Sequence, residues 1–132
     1  MNAEVGQQLP PLTVRLTRTD LVRYAGASGD LNPIHHSDRA AAELGLPGVL
    51  AHGMLTMGLA LRVVTDWTGS QQIRRYSARF TRPVVVPDDG VGVELRFVGQ
   101  VTQVSEDQIT VSIDATCHGE KVLGQAVVEI AR

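Results

Sequence analysis

An α+β fold is predicted, with one antiparallel sheet wrapped around one long central helix. Three observations lead there. From about Arg75 to the end, apolar and polar side chains alternate with a period of two, the mark of half-buried strands. Between about Gly53 and Trp67 apolar residues occupy nearly every helical face, so this helix is expected to be buried on most sides. A sheet with one apolar face needs a cover, and only that helix is apolar enough to supply it.

The elements follow in order. Residues 12–17 alternate apolar and polar side chains and read as a first strand. Thr17 and Asp20 have the spacing of a capping box, and Leu21, Val22, Tyr24 and Ala25 continue it as a short helix that Gly26 and Gly29 are expected to end. Ser37 can cap a second short helix, Asp38 suits its positive end, Ala40 to Ala42 propagate it, and Gly45 fits a left-handed terminator. A turn at Pro47-Gly48 leads to the apolar helix at 53–67, which Gly69 closes. Tyr76, Ala78 and Phe80 then alternate with Arg75, Ser77 and Arg79. After Pro83 to Val86 and a turn at Asp88-Asp89-Gly90, one strand face carries Val91, Val93, Leu95, Phe97 and Val101. The next carries Ile109, Val111, Ile113, Ala115 and Cys117, and the last Val122, Ala126, Val128 and Ile130. The arrangement is that of a hot-dog fold.

Composition narrows the function. The 132 residues suit one domain, expected over 1–132, and 43% of them are hydrophobic. With 14 acidic and 12 basic residues, a net charge of −2 and no basic tract, nucleic acid is not the expected partner. Met1 to Gly6 lacks the pattern of a secretory leader, and the apolar stretch, broken by Arg62, Asp66 and glycines, is short for a membrane span. Cys117 is the sole cysteine and has no internal disulfide partner. A soluble, cytoplasmic chain is expected.

The segment Ser28-Gly29-Asp30-Leu31-Asn32-Pro33-Ile34-His35 holds the most chemistry. Gly29 and Pro33 keep it from being regular helix, and it brings a carboxylate and an imidazole close together. Such groups titrate near ~4 and ~6.5, so the pair offers a base and an acid at neutral pH. Holding one water between them is what reversible addition of water to a double bond requires. On these residues alone a structural role stays open, in which Asp30 and Asn32 make Asx turns and His35 caps a backbone group.

A second constellation, Ala51-His52-Gly53-Met54, begins the apolar helix. Backbone N–H groups of a first turn lack intrahelical partners and lie at the positive end of the dipole. Gly53 has no side chain to bar a carbonyl oxygen from its N–H, which would serve as an oxyanion hole. Otherwise Gly53 only permits close packing and His52 is an interfacial histidine. Hydration of an α,β-unsaturated thioester passes through an enolate-like state with charge on that oxygen, so the two constellations complement each other.

Other candidates are weaker. His35, His36 and Asp38 have no second cluster at metal-binding spacing, and neither has His118 beside Cys117, so no metal is expected. Cys117 falls on a core face, where thiols are inert, and Ser28 lies in no nucleophile elbow. Met54 and Met57 fit the core or an acyl-chain pocket. Arg74, Arg75, Arg79 and Arg82 form either a solvated face or a contact for the phosphates of coenzyme A or phosphopantetheine.

Together with Tyr24 and Ala41, these two motifs resemble the signature of the MaoC-like, or (R)-specific enoyl-CoA hydratase (hydratase 2), family. Within it, Ser28 to His35, Ala51 to Gly58 and Arg79-Phe80-Thr81 are most similar to the small catalytic subunits of (3R)-hydroxyacyl-acyl carrier protein dehydratases. The resemblance implies a hot-dog fold and reversible hydration of trans-2-enoyl thioesters to (3R)-hydroxyacyl thioesters. Asp30 and His35 match the catalytic dyad, Gly53 the oxyanion donor, and Ser28 and Asn32 positions that shape the loop. Ala27 departs from the larger aliphatic residue common before the serine. Met54, Arg79 and Arg82 are the expected substrate contacts. The family needs no metal or organic cofactor, since the thioester carrier belongs to the substrate. It implies a homodimer, or a heterodimer with a related hot-dog subunit. A hot-dog thioesterase and a non-catalytic partner subunit are the alternatives.

Overall fold

The computed structural model describes residues 2–69 and 73–132. In chain order it contains β1 (Leu12–Leu16), α1 (Arg18–Ser28), a single 3-10 turn (Pro33–His35), α2 (Asp38–Glu43), α3 (Gly53–Thr68), β2 (Ile73–Phe80), β3 (Val93–Val104), β4 (Gln108–Cys117), the short β5 (Glu120–Lys121) and β6 (Leu123–Ala131). The strands form one antiparallel sheet in the order β1-β3-β4-β6-β2, with β5 beside β4.

The period of two positions the core. Val93, Leu95, Phe97 and Val101 of β3 are buried, as are Ile109, Val111, Ile113, Ala115 and Cys117 of β4. Ala126, Val128 and Ile130 of β6 join them. Val91 does not. It lies outside β3 and is exposed, because Asp89 captures the N–H groups of Val91 and Gly92 at 2.9 and 2.8 Å and holds them in the turn. Val122 is buried but falls between β5 and β6. Leu123 and Ala126 are both buried although three residues apart, and Gln125, with φ of 49°, stands between them. The pairing of β2 with β6 shifts register between Ser77 and Arg79, so a bulge re-aims the start of β6.

Helix α3 lies against this sheet through Thr56, Ala60, Val63 and Val64, all buried. Contact is close at Gly99 of β3, where a Cβ would stand only 2.8 Å from Val63 Cγ1. Most sides of the helix are buried or half-buried, with one exception. Met54, Gly58, Arg62 and Asp66 form an exposed stripe along α3, because the sheet covers one side and no second layer among the described residues covers this stripe. None of the helices among the described residues is long and apolar enough to cross a membrane.

The caps follow the sequence with one correction. Thr17 and Asp20 form the capping box of α1, and Gly69 ends α3 in the left-handed region. Gly45, also left-handed, follows α2, whose cap is Ser37. Gly26 does not end α1. The helix runs through it to Gly29, whose φ of 76° reverses the chain, since one glycine in a helix costs only about 1 kcal/mol.

Candidate active site

Three short segments run side by side at the start of α3. Ala51 N–H donates to the Val84 carbonyl at 2.8 Å, and Val86 N–H donates to the Val49 carbonyl at 2.9 Å. On the other side, Leu50 N–H donates to the Ile34 carbonyl at 3.0 Å. Residues 49–51 are thus held between the 3-10 turn and residues 84–86, and they deliver His52 and Gly53 beside His35.

The loop after α1 shapes itself by local hydrogen bonds. Ser28 Oγ accepts from Asp30 N–H at 3.1 Å, Asp30 Oδ1 from Asn32 N–H at 3.2 Å, and Asn32 Oδ1 from Ile34 N–H at 3.2 Å. These are ST and Asx turns. They commit Oδ1 of Asp30 and leave Oδ2 facing His35 Nε2 at 3.8 Å.

That separation exceeds a hydrogen bond. The His35 ring is fixed from its other side, where Nδ1 lies 2.7 Å from the Leu50 carbonyl. A carbonyl only accepts, so Nδ1 carries hydrogen and Nε2 is the ring nitrogen left to face the carboxylate. His35 is buried, whereas the Asp30 side chain is 52% exposed.

His52 has a larger part than the sequence assigns it. Its ring is 1% exposed and stacks on His35, with centroids 3.8 Å apart and planes at 21°. Tyr24 meets it edge-on, with ring centroids 4.8 Å apart. His52 Nε2 lies 3.1 Å from the Asp30 backbone carbonyl, so it bears hydrogen and donates. Its Nδ1 is buried and has no hydrogen-bond partner among the described residues. Burial therefore holds the pKa of His52 below its ordinary value, and neighbouring His35 lowers it further, against the raising effects of the Asp30 carbonyl and carboxylate. The motif spacing puts His52 near the dyad, but stacking of the two rings is a tertiary fact without a local sequence signal.

Gly53 opens α3, so its N–H has no intrahelical acceptor. A cavity of about 340 Å³ adjoins it, lined by His35, Gly53, Thr56, Phe80, Arg82 and Leu123 among others. Asp30 does not line this cavity; its carboxylate lies 3.8 Å from Nε2 of His35, which does.

Residues 2–118 match the family described as MaoC like domain. The chain belongs to the MaoC-like family. It is 40% identical over 82 residues to 3-hydroxyacyl-thioester dehydratase X of Mycobacterium tuberculosis, covering 61% of this chain and 29% of that protein. It is 32% identical over 110 residues to the 3-oxo-4,17-pregnadiene-20-carboxyl-CoA hydratase beta subunit of Mycobacterium tuberculosis, covering 83% of this chain and 81% of that subunit. A solved MaoC-like dehydratase superposes with a TM-score of 0.93 at 37% identity, over 98% of this chain and 40% of that one. This MaoC-like chain therefore spans less than a third of the dehydratase and under half of the solved chain. Both curated relatives carry the names of hydratases or dehydratases.

The remaining expected residues are dispersed around this MaoC-like centre. Arg82 lines the cavity, with its guanidinium 3.3 Å from Glu120. Met54 is 60% exposed on the open stripe of α3 and does not line the cavity. Arg79 lines a separate groove with Arg75, Gln125 and Glu129. The Cys117 thiol is buried and its pKa raised by that burial, so the thiolate is disfavoured. Ligand atoms of Asp30, His35 and His52 lie within 4.8 Å of one another. They fit a metal ion poorly. The stacked rings point their in-plane lone pairs side by side rather than at one point.

Proposed function

We propose that this chain, acting as one domain over 1–132, catalyses reversible syn hydration of trans-2-enoyl thioesters to (3R)-hydroxyacyl thioesters, or the reverse dehydration. One observation carries the reading: Asp30 Oδ2 and His35 Nε2 face each other at 3.8 Å with His35 Nδ1 tied elsewhere. A substrate water about 2.8 Å from both would subtend an angle of about 85°, near enough to its own bond angle to donate to each.

In hydration the water oxygen bonds to C3 as its proton passes to the dyad. The π pair of the double bond becomes the new C2–H bond, with a proton supplied by the dyad. The pair ends with as many protons as it began with, and its titration belongs to both groups. Negative charge builds on the thioester oxygen, where the Gly53 N–H stabilises it by about 3 kcal/mol. No metal or organic cofactor takes part. The carrier is coenzyme A or acyl carrier protein, and the presence of Arg82 in the cavity lining supports a contact with its phosphate. The open stripe of α3 and the exposed Asp30 support assembly with a second hot-dog subunit, either a copy or a paralogue.

Purified protein is tested alone with crotonyl-CoA and longer enoyl-CoA substrates by loss of enoyl absorbance. Asp30→Asn and His35→Ala are expected to abolish turnover while leaving the circular dichroism spectrum unchanged. Near-wild-type turnover in either variant overturns the assignment. Free thiol released without hydration identifies a thioesterase instead.

A further inference from the structure

We propose that His52 is a positioning residue of the dyad: its Nε2–H holds the Asp30 backbone while its ring supports the face of His35. This rests on the hydration reading above. Three observations carry it. The Nε2–H to carbonyl bond of 3.1 Å ties Asp30 to a residue 22 positions away. Without it, the hydrogen bonds that hold the loop from Gly29 to Asn32 among the described residues are turns between near neighbours. The 3.8 Å stack with His35 means that one buried ring touches both dyad members, the backbone of one and the side chain of the other. Finally, Nδ1 of His52 is buried without a hydrogen-bond partner among the described residues. Burying an imidazole at that cost makes little sense for packing alone, since a phenyl ring fills the same space with no orphaned nitrogen.

The consequence is geometric. His52 touches neither the water nor the thioester, so it acts through Asp30 and His35. The separation of Oδ2 and Nε2 has to match one water, and a displacement of about 1 Å costs roughly 100-fold in rate. Its loss is therefore expected in kcat, with KM little changed.

Two substitutions separate the hydrogen bond from the ring. His52→Phe keeps an aromatic ring to stack on His35 and removes the donor. His52→Gln removes the ring and keeps an N–H at similar reach. Crotonyl-CoA hydration by the phenylalanine variant is expected to fall ~10- to 100-fold in kcat, with KM within about twofold of wild type. The glutamine variant, which keeps the donor and loses the ring, is expected to fall less than the phenylalanine variant. Near-wild-type kcat for His52→Phe, or a change confined to KM, overturns the proposal. Long-range proton–nitrogen NMR on wild-type protein at pH 7 tests the same geometry without a variant or turnover. His52 is expected as the neutral Nε2–H tautomer, and a protonated Nδ1 overturns the proposal even where His52→Phe does not fold. Failure of the wild-type protein to hydrate any enoyl thioester strikes the hydration reading, while the NMR result still decides the His52 geometry.

Discussion

Gly53→Pro would delete one hydrogen atom from the candidate site and change little else. Gly53 is the first residue of α3, a position where proline is favoured because the N–H it lacks has no helical acceptor. The residue before a proline must be extended, and His52 already has φ of −60° and ψ of 129°. The backbone need not rearrange. The new Cβ would meet Cε1 and Cζ of Phe80 at 3.0 Å, closer than ordinary contact. Phe80 is 57% exposed, so the tip of its ring can retreat by the few tenths of an ångström required. Stability is therefore expected to stay within about 1 kcal/mol of wild type. Gly53→Ala is the control, since it brings the same Cβ and keeps the N–H. The difference between the two variants isolates the amide hydrogen, whose bond to a developing oxyanion is worth about 3 kcal/mol, or ~100- to 1,000-fold in kcat. Initial rates at saturating crotonyl-CoA, with urea unfolding of both variants, make the measurement. Obstruction by the pyrrolidine ring would show in KM instead. A proline variant with kcat within about fivefold of the alanine variant refutes the oxyanion role.

Two further predictions concern stability. Because the folded-state pKa of His52 is lowered, the unfolded chain takes up a proton below about pH 6.5 that the folded chain refuses. Stability then falls as pH drops through that window, by at most ~1.4 kcal/mol per pH unit. The groups facing His52 are His35, Asp30 and Tyr24, and His52→Gln should remove this part of the slope. Parallel slopes for wild type and variant in urea unfolding refute it. Gly99→Ala would place a Cβ 2.8 Å from Val63 Cγ1 and is expected to cost about 1–3 kcal/mol. Adding Val63→Ala should recover part of that loss by removing the clashing methyl group, and additive losses would show that the contact is not the cause.

Local signals made most of the fold legible. Alternation along β3 and β4 identifies the core residues because one side of the sheet is buried throughout. The capping box at Thr17 and the left-handed glycines at 45 and 69 work within a few residues, so sequence suffices to find them. Long-range effects decided the rest. Gly26 stays helical because Leu21 and Ala25 pack inward around it, which outweighs its poor propensity. The open stripe on α3 depends on what faces the helix, and an apolar pattern alone gives no information about a missing layer. Arg79 sits close to Arg82 in sequence, yet it lines a separate groove beside the β2–β6 irregularity, a detail of pairing that composition does not encode. Both motifs of the candidate site were legible as motifs, whereas the His35–His52 stack arises only when two distant loops meet.

Residues 49–51 give the site a common datum. The His35 ring and the Ile34 carbonyl both take their place from Leu50, while Ala51 is pinned to Val84 and leads directly to the first amide of α3. Rocking of this rail carries the imidazole and the Gly53 amide together, so their mutual offset survives motions that shift both relative to the sheet. The Asp30 backbone joins the same rail through His52 Nε2–H, and its half-exposed carboxylate adds only its own side-chain torsions. Wander in the constellation should therefore concentrate on that side chain, and its alignment is what would vary from turnover to turnover.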